Sequence, residues 1–337
     1  MKLNFRNDYN SIGDRQILNK LIEYADEKNI GYGEDYHSKE LNKMVCDICG
    51  RAVDTYILSG GTVTNIVGLN QMLKYPYESI ITVEESHINV HETGAIESTG
   101  HKIIYTPSVN GKIDIEKIKK TYYKYSDNHM VMPKVLYISN ANELGITYTL
   151  DELKKMYGIC KELGLYFFID GARLAIALAK EGYSLKDIAS LCDMFYLGGT
   201  KNGLMYGELL VIVNDTLKTN FKYLLKNKLG LLAKGFAPAI IFTAYLKDDY
   251  YLTLAKNSLL QADKIRARLN SYLVYNDNTN QIFIKLPNKA VEKLAEEVEF
   301  EVWEPLDNET IIRLVTAFNT TDVEIKALFS IFDNLQI

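Results

Sequence analysis

The sequence predicts an α/β protein: a seven-stranded, mostly parallel sheet covered by helices, followed by a small C-terminal α+β unit. Three observations carry that reading. Seven short runs rich in Ile, Val, Leu, Tyr and Phe recur through the first two thirds of the chain. Each is apolar without strict alternation, the pattern of a strand covered on both faces. Segments of helical period lie between most of them, and strands alternating with helices argue a doubly wound sheet.

The runs are TYIL (55–58), SIITV (79–83), KIIYT (102–106), KVLYIS (134–139), LYFFID (165–170), MFYLG (194–198) and ELLVIV (208–213). Between them TVTNIVGLNQMLK, IDIEKIKKTYYKY and TLDELKKMYGICKELG carry apolar residues at i, i+3 and i+4. The last of these opens on a Thr149 or Asp151 cap and ends at Gly164. The tight step from MFYLG to ELLVIV permits a hairpin, so one antiparallel strand fits. Beyond residue 248 the texture changes. A long helical stretch (250–273) leads to QIFIKL, a helix at 288–298, EVWEP, TIIRLV and a closing helix at 320–332. The expected division is a large domain over 1–247 and a small α+β domain over 248–337.

The 337 residues are ample for one large core and a smaller one. Hydrophobic residues make up 47% and charged residues 24%, as in ordinary soluble domains. A net charge of −5 leaves no basic footprint for nucleic acid. The start, MKLNFRNDYN, lacks an apolar leader, and no apolar run nears the ~20 residues that span a bilayer. The expected location is the cytoplasm. Cys46 and Cys49 form a C-x-x-C pair on a predicted helix without a second ligand pair, so structural thiols are expected.

In open α/β sheets ligands bind outside the carboxyl ends of the strands. Three strand ends carry chemistry here. SGGT (59–62) places Gly60 and Gly61 before a helix start, where backbone N–H groups and the Thr62 hydroxyl suit a phosphate. Such turns also precede helices that bind nothing. FFIDGAR (167–173) ends an apolar strand on Asp170, a carboxylate that needs a cation. That cation is a protonated pyridine nitrogen or, structurally, Arg173; a third option is that Asp170 caps a helix. GGTKNG (198–203) puts Lys201 in a polar turn 31 residues after Asp170, on the next strand end. A lysine there either caps a loop or acts as a desolvated, nucleophilic amine. A phosphate, a ring nitrogen and an aldehyde together describe pyridoxal phosphate (PLP).

The chain resembles the PLP-dependent threonine aldolase and β-eliminating lyase family, of the aspartate aminotransferase-type fold (fold type I). The motifs are NFRNDY, GYGEDYHS (31–38), LSGGTVTN, ESHINVHETGA (85–95), FFIDGARL, GGTKNG and IIRLVTAFN (311–319), in the family's order. The resemblance implies that Lys201 is the Schiff-base lysine, Asp170 the pyridine-nitrogen partner, and Gly60, Gly61 and Thr62 the phosphate turn. It implies that His87 stacks on the cofactor ring and serves as the base, directly or through a water. Arg313 would clamp the substrate carboxylate, and Arg173 would stand beside the cofactor. Asn7 replaces the family's early serine, and Glu143 in SNANELG (139–145) is nearest the place of a missing second histidine.

The activity this implies is a low-specificity L-threonine aldolase acting on small β-hydroxy amino acids. Other β-eliminating or aminotransferase chemistry is the alternative. The resemblance also implies a homodimer or homotetramer with shared active sites. Lys234 would then reach the phosphate from a neighbouring subunit, and Tyr32 and Asp35 would approach the same cleft. His87 and His91 stand four apart and on a helix would face together as metal ligands with Glu84 or Glu92, yet no H-E-x-x-H motif accompanies them and no metal is expected.

Overall fold

The seven runs pair into one sheet in the computed structural model, which describes residues 2–276 and 278–335. In chain order the strands are β1 (Asp54–Leu58), β2 (Glu78–Thr82), β3 (Lys102–Tyr105), β4 (Met132–Ser139), β5 (Tyr166–Asp170), β6 (Met194–Gly198) and β7 (Glu208–Ile212). Across the sheet they run β1-β7-β6-β5-β4-β2-β3. β7 is antiparallel to β1 and β6, and the remaining pairings are parallel. The reason is local: the turn after β6 is too short for a crossover, so the chain can only return alongside itself.

Successive side chains of each strand point to opposite faces. Ile81, Leu136, Phe167 and Phe195 join the core on one face, with Leu153 and Met156 of helix Leu150–Leu163. Ile80, Val135, Phe168 and Met194 join the core on the other, with Val67 and Leu69 of helix Gly61–Met72. Tyr137 and Tyr196 fall in this second set.

Thr149 is the cap of helix Leu150–Leu163: it forms a capping box with Glu152, and Gly164 ends the helix at φ 68°. The C-x-x-C pair lies on helix Tyr36–Cys49, and all four cysteines are free. Burial pushes the Cys49 thiol up to about 12, so it is no nucleophile.

C-terminal strands β8 (Gln281–Pro287), β9 (Glu301–Pro305) and β10 (Glu309–Val315) form an antiparallel sheet of order β8-β10-β9. Helices Asn288–Glu297 and Asp322–Asn334 cover it. The N-terminus joins this unit. Leu3–Asn4 pairs with Val298–Glu299, Phe5 N donates to Glu299 O at 2.9 Å, and Phe5 O accepts from Val315 N at 2.7 Å. Among the described residues no helix is long and apolar enough to cross a membrane.

Candidate active site

The ends of β5 and β6 meet backbone to backbone. Gly198 N donates to Gly171 O at 2.9 Å. A Cβ on Gly171 would lie 1.7 Å from Tyr196 O, and one on Gly198 would lie 2.4 Å from Ala172 O. No side chain fits either position. This contact brings the DGAR segment against the turn that carries Lys201.

Lys201 sits in a single 3₁₀ turn, Thr200–Asn202, ended by Gly203 at φ 101°. The turn is anchored from below: Asn202 Nδ2 donates to Tyr245 Oη at 2.8 Å and to Tyr251 O at 2.9 Å. Burial, helped by the Arg173 charge, pushes the Lys201 amine below the usual lysine range, against Asp8, Asp170 and Glu208. Lys201 is no loop cap; it is a partly buried amine on a rigid support.

Asp170 is buried and surrounded by donors. Tyr137 Oη and Asn65 Nδ2 reach Oδ2 at 2.5 and 3.0 Å, while Tyr196 Oη and Ala172 N reach Oδ1 at 2.5 and 3.0 Å. Burial works against its charge, but His87, the two phenols and the Ala172 amide outweigh it and hold the carboxyl below its ordinary value. Among the described residues no lysine or arginine pairs with it. Arg173 instead forks onto Asp8, Nε to Oδ2 at 2.7 Å and Nη2 to Oδ1 at 3.1 Å. Asp170 is thus an ionised carboxylate with its oxygens fixed and no lysine or arginine in contact among the described residues.

His87 opens the short helix His87–Val90. Its Nδ1 lies 2.8 Å from Glu92 Oε1, which also accepts from Asn65 Nδ2 at 2.7 Å. Asn65 therefore links the His87 support to the Asp170 support. Glu143 Oε1 accepts from His87 N at 2.9 Å and from Ser139 Oγ at 2.7 Å. Burial raises the Glu143 carboxyl above its ordinary value.

Arg313 extends from β10. Its Nη1 donates to Gln281 Oε1 at 3.2 Å, and its guanidinium lies 5.3 Å from the centre of the Trp303 ring. Arg313 Nε is buried with no hydrogen-bond partner among the described residues. This buried donor is left unsatisfied, a cost that an acceptor reaching it would relieve.

One cavity of about 650 Å³ gathers His87, His91, Glu143, Arg173, Lys201 and Arg313. The SGGT turn does not line this cavity but meets the Asp170 support: a Cβ on Gly61 would sit 3.2 Å from the Tyr196 hydroxyl, which itself reaches Asp170. Helix Gly61–Met72 starts on Gly60 without a side-chain cap, leaving its first amides open to an anion. Thr62 is exposed at this start. An uncapped helix start, an ionised acceptor lacking a cation and a depressed lysine amine fit the phosphate, ring nitrogen and aldehyde of PLP.

Other expected residues lie further out. Asn7 Oδ1 accepts from Tyr9 N at 3.1 Å, a local turn contact. Lys234 is exposed, next to Ala233, whose carbonyl accepts from Tyr32 N at 3.1 Å. Asp35 is buried and caps a helix, accepting from Ser38 N at 2.7 Å. Among the described residues no cluster of His, Cys, Asp and Glu could hold a metal ion. Sequence reasoning did not pick out Asp8, Asn65, Tyr137 or Tyr196, and it weighed Glu92 only as a metal ligand. The tyrosines read as strand residues; Asp8, beside Asn7 in NFRNDY, was the one with a usable signal.

The β-eliminating lyase family profile matches residues 5–299. The chain is similar to a low specificity L-threonine aldolase from Pseudomonas aeruginosa, 30% identical over 271 residues and covering 78% of each chain. A solved threonine aldolase from Leishmania major superposes with a TM-score of 0.96 at 37% identity, covering 98% of this chain and 99% of that one. A serine palmitoyltransferase from S. paucimobilis, solved with PLP bound, shares the fold at a TM-score of 0.70 and 15% identity, covering 99% and 87%.

Proposed function

This chain belongs to the β-eliminating lyase family, and from that premise we propose that it is a PLP-dependent, low-specificity L-threonine aldolase. It cleaves L-threonine and L-allo-threonine to glycine and acetaldehyde. The observation that carries the reading is the convergence on one cavity of Lys201 and Arg313, with Asp170 close enough behind to act on the Lys201 amine.

When bound, PLP supplies an electron sink for the bond broken at Cα. The residues of this chain supply the rest. The amides at Gly60, Gly61 and Thr62 hold the phosphate, and Asp170 keeps the ring nitrogen protonated. Lys201, its amine pushed down by burial and the Arg173 charge, is the nucleophile for the aldehyde. His87, oriented by Glu92, would pack against the cofactor ring. Arg313 fixes the substrate carboxylate through guanidinium N–H groups at its edge, with the two-point geometry a lysine cannot offer. Arg173, tied to Asp8, supports the cofactor side of the cavity.

The assembly in this reading is a homodimer or homotetramer. The phosphate is a dianion, and the SGGT turn offers it amides and a hydroxyl but no full charge. Lys234 and the Tyr32 segment, exposed side by side, would serve the neighbouring subunit's phosphate.

A product assay tests the reading. L-threonine, L-allo-threonine and L-serine are each incubated with the PLP-loaded enzyme, and glycine, acetaldehyde, pyruvate and ammonia are measured. Glycine with acetaldehyde from the threonines is expected. Pyruvate and ammonia without acetaldehyde would move the protein to β-elimination. Borohydride reduction should fix the cofactor to Lys201, and an adduct on another lysine would overturn the site.

A further inference from the structure

We propose that His91 is the base that removes the β-hydroxyl proton of the substrate, an inference that rests on the aldolase reading above. The region where the family's second histidine belongs is here SNANELG, which has none. A second imidazole nonetheless enters the cavity, from the helix that carries His87. His91 N donates to His87 O at 2.9 Å, so the two residues stand one turn apart. Their rings are 5.5 Å apart, and Trp303, the ring that carries Arg313, lies 6.3 Å from His91 on its other side. His91 therefore stands between the imidazole expected on the cofactor and the arginine expected on the carboxylate. The β-carbon of a bound amino acid belongs in that span.

The other candidates are committed. His87 is oriented through Nδ1 by Glu92 and is the imidazole assigned to the cofactor ring. Glu143 braces the His87 backbone, Oε1 accepting from His87 N and Ser139 Oγ. Glu85 is bonded to the Ser108 hydroxyl through Oε1 and, as a carboxylate, is poorly matched to an alcohol proton near neutral pH. The His91 ring makes no hydrogen bond among the described residues, and it is exposed to the cavity. Burial, then the charges of His87, Arg313 and Lys201, lower its pKa, while Glu301 on β9 opposes them. Glu304 and Arg173 also face the cavity. The sum leaves a neutral imidazole, able to accept a proton at neutral pH.

In the step, a ring nitrogen of His91 bonds to the hydroxyl proton as the O–H bond breaks. That O–H pair becomes the second C–O bond of acetaldehyde. The Cα–Cβ pair passes to the electron sink, Cα takes a proton from solvent, and the imidazolium returns its own to solvent. Threonine becomes glycine and acetaldehyde with no other reactant.

The test uses His91→Asn and His91→Phe in the PLP-loaded enzyme, with glycine α-hydrogen exchange in D2O as the second reaction. Exchange needs the cofactor site but no β-hydroxyl base. We expect kcat for threonine cleavage to fall about 100-fold or more, KM to change little, and glycine exchange to persist. The acid limb of the kcat/KM profile should vanish with the imidazole. In apoenzyme with 15N-labelled histidine rings, the resonance lost in His91→Asn should titrate below the ordinary histidine value. Full cleavage by both variants, or parallel loss of cleavage and exchange, would overturn the role. A wild-type enzyme that exchanges glycine but cleaves no β-hydroxy amino acid would overturn the aldolase reading, and this role with it.

Discussion

Asp8 and Arg173 close a two-point ion pair, 2.7 and 3.1 Å, that ties the N-terminal loop to the segment following Asp170. Asn280 Nδ2 adds a donor to Asp8 Oδ2 at 3.0 Å, so three distant parts of the chain meet at one carboxylate. Burial opposes its charge, yet Arg173 and Lys201 hold it below the ordinary value of 3.8. Removing Asp8 strands a largely buried guanidinium. Asp8→Ala is expected to cost about 3–5 kcal/mol in urea unfolding. Because its folded pKa is depressed, this stabilisation is present above the unfolded value and is lost as pH falls through the folded one. The gap between wild type and variant should therefore narrow in acid.

The Asp170 support predicts a charge-dependent effect. Tyr196→Phe removes one donor from an ionised carboxylate and is expected to cost about 1.5–3 kcal/mol. In an Asp170→Asn background the same substitution should cost about half as much. A double-mutant cycle in urea measures the difference. An equal cost in both backgrounds would mean that the phenol supports packing alone.

Glu208 offers a prediction of opposite sign. It lies opposite Gly198 in the β6–β7 pairing, and its Oε2 accepts from Gly199 N at 3.2 Å, beneath the Lys201 turn. Burial raises its carboxyl from 4.5 to about 8, against the pull of Thr200 and Lys201. A raised folded pKa means stability that is complete below the unfolded value and falls as pH climbs toward the folded one, by up to about 1.4 kcal/mol per pH unit. Glu208→Gln keeps the acceptor for Gly199 and removes the titration. Unfolding of the apoprotein at pH 5 and pH 8 should show wild type losing stability across that window and the variant losing less.

Lys234 tests the shared site. If a neighbouring subunit's lysine meets the phosphate, Lys234→Ala should weaken PLP retention by about 2 kcal/mol, the scale of a charge-assisted hydrogen bond. Dilution to monomer should then release the cofactor, followed by its absorbance. A monomer that retains PLP and full activity would remove the shared site and leave Lys201 untouched.

Hydrophobic runs, turn glycines and caps are local, and they were sufficient for the seven strands, the β6–β7 hairpin and the Thr149 helix. The residues bearing the chemistry, Asp170 and Lys201, were legible because each ends a strand, where an open α/β sheet leaves its ligand cleft. Helix Phe236–Leu246 was not legible: it is apolar nearly all round, so it shows no period to read. The support of the site was hidden for a different reason. Tyr137 and Tyr196 look like ordinary strand residues, and only the order β6-β5-β4 and its register turn both hydroxyls toward Asp170. A slip of one residue in either strand would send its phenol to the opposite face. Asp8 reaches Arg173 across 165 residues, and Leu3–Asn4 pairs with Val298–Glu299, contacts that no local pattern encodes. The sequence alone determined which groups stand at the strand ends. Which groups hold them, and with what charge, was decided by the tertiary structure, because burial and long-range pairing set a carboxylate's or an amine's ionisation only once the sheet has closed.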